Sequence, residues 1–108
     1  MRISYTFRNM ESSDGIKNYA SEKIGKIQKY MRSPLHAEVT FSMERHLHRV
    51  DLNLTGDGHQ YAGHGDSDDM YASIDQVVDK IDRQVRDAKA TETHRRRHSG
   101  ESLRHPED

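Results

Sequence analysis

The sequence contains no cysteine, which excludes disulfide bonds and thiolate metal sites within it and agrees with a reducing cytosol. Tryptophan is also absent, and only 31% of the 108 residues are hydrophobic, whereas 32% are charged. The mean hydropathy of -1.08 is low for a globular protein. We therefore expect part of the chain to remain outside the packed core.

Long hydrophobic runs are missing as well. No run approaches the roughly 20 residues that cross a membrane, and no apolar signal segment follows Met1. We therefore expect a cytoplasmic protein with one modest domain and no membrane partner.

The charges are unevenly distributed, although the formal net charge is only -1. Five basic residues lie between positions 17 and 32, where Glu22 is the one acidic residue, whereas aspartates crowd positions 51–82. Basic residues return between positions 83 and 97. A dipolar molecule of this kind can place a basic face on phosphate while its acidic edge points elsewhere, so the net charge does not exclude a nucleic-acid partner.

The segment from Asp68 to Ala90 is predicted to form an amphipathic helix against which the rest of the chain packs. Its apolar residues recur at intervals of three and four, at Met70, Ile74, Val77, Val78, Ile81, Val85 and Ala88. Ser67, Asp68 or Asp69 is expected to cap its start, because an oxygen acceptor satisfies unpaired backbone N–H groups there. Four basic residues wind around the side away from this stripe, namely Lys80, Arg83, Arg86 and Lys89.

Alternation of apolar and polar residues predicts four strands. They cover residues 2–8, 35–44, 50–55 and 59–64. The fourth strand is weak, because Gly63 and Gly65 interrupt it and Tyr61 is its only large apolar residue. Turn signals between the second, third and fourth strands favour an antiparallel meander.

A second helix is predicted from Asp14 to Met31, capped by Ser12 or Ser13 and ended by Pro34. The apolar period disappears after about Lys89, so residues 91–108 are predicted to form a disordered, charged C-terminal tail. Residues 1–90 then form one domain.

The predicted element order is β-α-β-β-β-α. Since each helix has one apolar stripe and each strand one apolar face, the economical packing is an α+β sandwich. Both helices then lie on one face of a four-stranded sheet, with a right-handed parallel crossover between the first two strands. This architecture resembles a double-stranded-RNA-binding domain with an added first strand.

The histidines and carboxylates do not form a persuasive metal or catalytic pattern. His46 and His48 lie two apart, with His59 and His64 nearby, but a zinc site needs three or four converging ligands. No pattern suggests a carboxylate pair or an activated nucleophile. We therefore expect no metal, no cofactor and no enzymatic activity.

The basic residues of the two helices are the remaining candidates for function. They are Lys23, Lys26 and Lys29 on the first helix, and Lys80, Arg83, Arg86 and Lys89 on the second. A solvated face with ion pairs between residues four apart, Asp79 with Arg83 and Asp82 with Arg86, explains the second set equally well. The first set has almost no acidic neighbours in sequence. If the helices lie side by side, both sets can line one groove suited to folded RNA, where phosphate contacts dominate.

Tyr71 lies beside these cations in the predicted second helix. It is either a stacking group for RNA bases or a tyrosine packed at the edge of the core, and the sequence favours neither.

Two segments of the last helix resemble the bacterial hibernation-promoting factor and ribosome-associated inhibitor family. They are DMYASID at Asp69–Asp75 and DKIDRQV at Asp79–Val85. Glu44 and His48, near the turn between strands two and three, also stand where the family has Glu and His. The resemblance extends over roughly residues 1–89 in element order.

The resemblance implies a protein that binds the small ribosomal subunit between head and body, in the channel for transfer RNA and messenger RNA. Such proteins silence translation in starved or stationary cells. It implies ribosomal RNA contacts from the basic residues of both helices, with Lys80 and Arg83 matching the family's basic block most closely. It also implies a short form, expected to be monomeric off the ribosome. The dilution of the last helix by Asp82 and Asp87 departs from the family pattern.

Two other functions stay open at this stage. One is a double-stranded-RNA-binding module that acts off the ribosome, and the other is a metal-binding or protein-interaction domain that uses the histidines. Whether the chain promotes or opposes the pairing of ribosomes does not follow from its residues.

Overall fold

The computed structural model describes the backbone of residues 1–97 and the side chains of residues 1–92. Its elements are β1 (Arg2–Arg8), α1 (Asp14–Gly25), a 3-10 helix (Lys26–Tyr30), β2 (His36–Glu44), β3 (Leu47–Gly56), β4 (His59–Ser67) and α2 (Met70–Arg97). The predicted order of strands and helices is confirmed.

The four strands form one mixed sheet in the order β1-β2-β3-β4. β1 is parallel to β2, and the other two pairings are antiparallel, so the predicted parallel pairing of the first two strands and the predicted meander are both confirmed. The register aligns Ile3 with Ala37, Ala37 with Leu54, and Leu54 with Tyr61. Because side chains alternate along a strand, this register places the apolar residues of all four strands on one face.

The core lies between that inner face and the two helices. Buried side chains from α1 and α2 join the strand residues in one continuous cluster, which includes Ile16, Ala20, Ile24, Ile74, Ile81 and Val85. Full burial of a side chain such as Ile81 stabilises the fold by about 1.5–3 kcal/mol. Both helices therefore cover the same face, and the predicted α+β class is confirmed.

The first helix differs from its predicted form in its last turns. It begins as expected at Ser13, whose Oγ accepts a hydrogen bond from the Ile16 N–H at 3.2 Å. It changes from α to 3-10 geometry after Gly25, however, instead of continuing as one α-helix to Met31. Glycine has the lowest helix propensity of the non-proline residues, so the change at this position is physically reasonable.

α2 begins close to its predicted start and ends later. Asp69 caps it, since its Oδ1 accepts from the Tyr71 N–H at 3.2 Å. The predicted end at Ala90 is wrong, because the helix continues to Arg97. The apolar period ends near Ala88, but the following residues up to Arg97 are mostly good helix formers with no proline or glycine among them, so the helix can continue. Residues 98–108 of the predicted tail lie outside the described residues.

β4 is longer than predicted, and its glycines have a different role. The strand extends to Ser67 through Gly63 and Gly65, both of which face α2. A Cβ atom at Gly65 would lie 2.5 Å from the Ser73 carbonyl oxygen. The glycines therefore do not interrupt the strand but let α2 approach it closely.

No helix in the described part of the chain is both long and apolar enough to cross a membrane.

Candidate nucleic-acid interface

The three lysines of the first helical segment line a groove between the two helices. This helix groove has a volume of about 260 Å³, and its charged lining is Lys23, Lys26, Lys29, Asp79 and Asp82. The opposite wall therefore carries carboxylates, and the prediction that cations from both helices line one groove is wrong. Successive helix residues differ by about 100° in direction, so a one-residue offset separates Asp79 in the groove from Lys80 outside it.

Lys23 is the least available of the three lysines. Its Nζ lies 3.9 Å from Asp75 Oδ1 and 5.3 Å from the ring centroid of Tyr19. Lys29 lies 5.2 Å from the ring centroid of Tyr30, and Lys26 is exposed. Within residues 1–92, neither Lys26 nor Lys29 forms a direct ion pair with a carboxylate, although Asp79 and Asp82 line the same groove.

The basic residues of α2 have separate partners. Lys80 Nζ donates to the His64 carbonyl oxygen at 2.8 Å, and Arg86 Nε donates to Asp82 Oδ2 at 3.0 Å. The predicted pair of Asp82 with Arg86 is thus confirmed. The predicted pair of Asp79 with Arg83 is not among the contacts of the described side chains, and Arg83 is exposed. Because a carbonyl carries no net charge, its contact does not offset the positive charge of Lys80, whereas the carboxylate of Asp82 offsets that of Arg86.

Lys89 is largely buried and forms an ion pair with Asp57, which lies in the turn between β3 and β4. The two side chains are 21% and 12% exposed, respectively. Asp57 also accepts hydrogen bonds from the backbone N–H groups of Arg32 and Ser33. The hydrogen bond from Lys89, with these backbone donors, holds the pKa of Asp57 well below its usual range. Lys89 is therefore positioned to join α2 to two loops.

Tyr71 is partly exposed and packs against a neighbouring tyrosine, and its stacking on RNA bases stays a prediction. It is 42% exposed, and its ring packs edge-on against Tyr19 with 5.0 Å between the centroids. Tyr19 in turn donates its hydroxyl to Asp75 Oδ1 at 2.8 Å, and this hydrogen bond raises the pKa of Tyr19. An exposed ring supported from one side is a suitable surface for base stacking.

Tyr19 and Asp75 lie beside the candidate residues Tyr71 and Lys23, but the sequence did not identify them as candidates. Asp75 contacts both Tyr19 and Lys23, so one carboxylate organises the aromatic and the basic group. The sequence places Tyr19 beside the apolar residues of the first helix and Asp75 in the DMYASID segment. It does not show that these two residues, 56 positions apart, are in contact.

The histidines are distributed over several strands and turns. His46 lies in the turn before β3, and His48, His59 and His64 lie at different positions of β3 and β4. Among the residues that the structure describes, no three His, Asp or Glu side chains are grouped closely enough to hold a metal ion.

A family model described as sigma 54 modulation protein / S30EA ribosomal protein matches residues 3–92. The chain belongs to this family. The resemblance that the helix segments indicated is thereby confirmed, since curated relatives carry the name ribosome hibernation promoting factor.

Two of these S30EA-family relatives show the extent of the similarity. The protein of Azotobacter vinelandii is 25% identical over 85 residues, which cover 79% of each chain. That of Escherichia coli (strain K12) is 27% identical over 85 residues, which cover 79% of this chain and 90% of the relative.

Solved structures of similar proteins have the same fold. The N-terminal domain of Thermus thermophilus Protein Y has a TM-score of 0.76 and 29% identity, with coverage of 79% of this chain and 96% of that one. A ribosomal subunit interface protein from Coxiella burnetii has a TM-score of 0.73 and 24% identity, with coverage of 83% and 99%. The S30EA-family fold thus accounts for the described core.

Proposed function

We propose that this protein is a ribosome hibernation factor that binds the small ribosomal subunit in the channel for transfer and messenger RNA. It inhibits translation there in stationary phase or stress as a steric plug, and it carries out no chemical reaction. It acts in the bacterial cytoplasm, where ribosomes are located. The observation that carries the proposal is the family match over residues 3–92, together with relatives named for ribosome hibernation.

The proposed ribosomal RNA contacts come from one side of the molecule, that of the helices. They comprise Lys23, Lys26, Lys29, Lys80, Arg83, Arg86, Lys89 and Tyr71. The contacts that these residues make within the protein divide them into two groups. Lys23, Arg86 and Lys89 each lie within 4 Å of a carboxylate, which weakens their attraction for phosphate.

Lys26, Lys29, Lys80 and Arg83 form no direct ion pair within the described residues, so we assign the main phosphate contacts to these four. The aspartates of the helix groove repel phosphate from its interior. RNA therefore approaches the rims of the groove, where phosphate contacts give affinity and the shape of the channel gives specificity.

Sedimentation of the protein with purified small subunits at several salt concentrations tests the proposal. Each phosphate contact contributes about 0.7–0.9 to the slope of log K against log salt, so binding should weaken steeply as salt rises. The variant Lys26→Glu, Arg83→Glu should bind much more weakly and show a shallower slope, because it loses two contacts and adds two repulsive charges.

The matched control is Arg2→Glu, Arg8→Glu, which changes the net charge equally at exposed positions on the outer face of the sheet. This control should retain binding. Equal loss in both variants, or binding that does not respond to salt, would contradict the proposal. Absence from ribosome fractions together with binding to duplex RNA would favour the double-stranded-RNA-binding module.

A further inference from the structure

One flank of α2 lies along the open edge of β4 and forms hydrogen bonds to its backbone. The Gln76 Oε1 accepts from the Asp66 N–H at 3.2 Å. The Lys80 Nζ donates to the His64 carbonyl at 2.8 Å, and the Gln84 Nε2 donates to the Ala62 carbonyl at 3.2 Å. We call Gln76, Lys80 and Gln84 the polar ladder.

The spacing of the polar ladder explains why three contacts occur in succession. Its members are four residues apart on a helix, which advances about 6 Å over that interval. Their partners are two residues apart on a strand, which also advances about 6.6 Å. α2 runs antiparallel to β4, so each step along the helix meets the next backbone group that points away from β3.

The glycines of β4 bring the polar ladder within reach. Gly63 and Gly65 face α2, and a Cβ atom at Gly65 would lie 2.5 Å from the Ser73 carbonyl oxygen and 3.0 Å from Gln76 Cβ. α2 can therefore lie directly on β4, and its polar flank overhangs the outermost strand instead of the middle of the sheet.

We propose that the polar ladder closes the β4 edge against strand addition by a second copy of this chain. An uncovered edge strand presents unpaired N–H and C=O groups that pair readily with another strand. Here side chains of the same chain occupy one of the two outward-facing backbone groups at each of three successive positions, Asp66 N–H, His64 C=O and Ala62 C=O. Lys80 therefore has a structural role in the free protein, where it covers the β4 edge, in addition to its proposed contact with RNA.

The other edge strand of the sheet, β1, carries an arginine at each end. In an antiparallel pairing of β1 with a second β1 centred on Tyr5, Arg2 of one copy faces Arg8 of the other. Like charges directly opposite one another destabilise a strand pair. In that register charge repulsion disfavours pairing at the β1 edge, whereas the proposed protection of the β4 edge depends on hydrogen bonds.

The test compares the triple variant Gln76→Ala, Lys80→Ala, Gln84→Ala with the wild type by sedimentation velocity from micromolar to millimolar concentration. Arg83→Ala is the matched control, since it also removes one positive charge from α2 but none of the edge contacts. The triple variant should self-associate as concentration rises, whereas the wild type and control should stay monomeric. A triple variant that stays monomeric, or a wild type that already self-associates, would overturn the proposal.

A second measurement does not require the triple variant to fold. Gln76→Ala removes the acceptor of the Asp66 N–H, so amide hydrogen exchange at Asp66 should accelerate about fivefold to tenfold. Arg83→Ala should leave it unchanged. Unaltered exchange in Gln76→Ala would show that the hydrogen bond does not cover the edge. Both measurements use the free protein, so their outcome does not depend on ribosome binding.

Discussion

The close approach of α2 to β4 leads to opposite expectations for two neighbouring glycines. Gly63 and Gly65 lie on the same face of the same strand, and neither has a positive φ. An alanine Cβ at position 65 would lie 2.5 Å from the Ser73 carbonyl oxygen and 3.2 Å from Val77 N, which are both backbone atoms. At position 63 its nearest neighbours are the Ile81 Cδ1 at 3.5 Å and the Val77 Cγ2 at 3.8 Å, which are ordinary contacts.

These distances determine the size of the expected effect. A carbon atom approaches a carbonyl oxygen to about 3.3 Å, so α2 must retreat by about 0.8 Å to accept Gly65→Ala. Overpacking of this kind costs about 1–3 kcal/mol. Both substitutions also reduce the entropy of the unfolded chain, which stabilises by about 0.4–1 kcal/mol where the native conformation tolerates alanine. Since that term is common to both variants, their difference isolates the clash.

Urea denaturation of the two variants provides the measurement. Gly63→Ala should be as stable as the wild type or slightly more so, and Gly65→Ala should be less stable than Gly63→Ala by about 1–3 kcal/mol. In thermal unfolding this difference corresponds to roughly 4–8 °C per kcal/mol for a domain of this size. Equal stabilities for the two variants would refute the reasoning, because they would show that α2 does not rest on the backbone of β4.

Two further predictions concern a carboxylate and a helix cap. The lowered pKa of Asp57 means that its ionised form stabilises the fold above the unfolded pKa of about 3.9, and that this stability is lost as pH falls through the folded pKa. Asp57→Asn should therefore be less stable near neutrality and lose less stability on acidification, as urea midpoints at several pH values would reveal; parallel pH profiles would contradict this. Ser13→Ala should cost about 1 kcal/mol by urea denaturation, whereas Ser12→Ala, which caps nothing, should change stability by less than about 0.5 kcal/mol.

Much of the fold could be predicted because local periodicity and packing agree. The stripe from Met70 to Ala88 and the alternation in β2 indicated the buried face of each element before any contact was known. The misplaced boundaries have local causes. The first helix changes to 3-10 geometry after Gly25, and residues of good helix propensity extend α2 to Arg97.

The interface was predicted less completely. The sequence indicated the basic residues of both helices as candidates but not their surroundings: Lys26 and Asp79 line the same groove, and Lys89 is paired with Asp57, 32 residues away. Asp57 lies in a turn whose position in the sheet brings it to α2. Sequence spacing reveals ion pairs within one helix, such as Asp82 with Arg86, but not those between elements.

The sequence by itself determined the order of the elements, the face that each buries and the family to which the chain belongs. The order and the buried faces depend on residue patterns within single elements, where a period of two or 3.6 residues is sufficient, and the family was indicated by the resemblance of two segments of the last helix. Only the tertiary structure decided which cations are paired with carboxylates and how the β4 edge is covered. Both depend on the rotation of α2 about its axis and its distance from β4, and those are set by two glycines and by contacts between residues far apart in the chain.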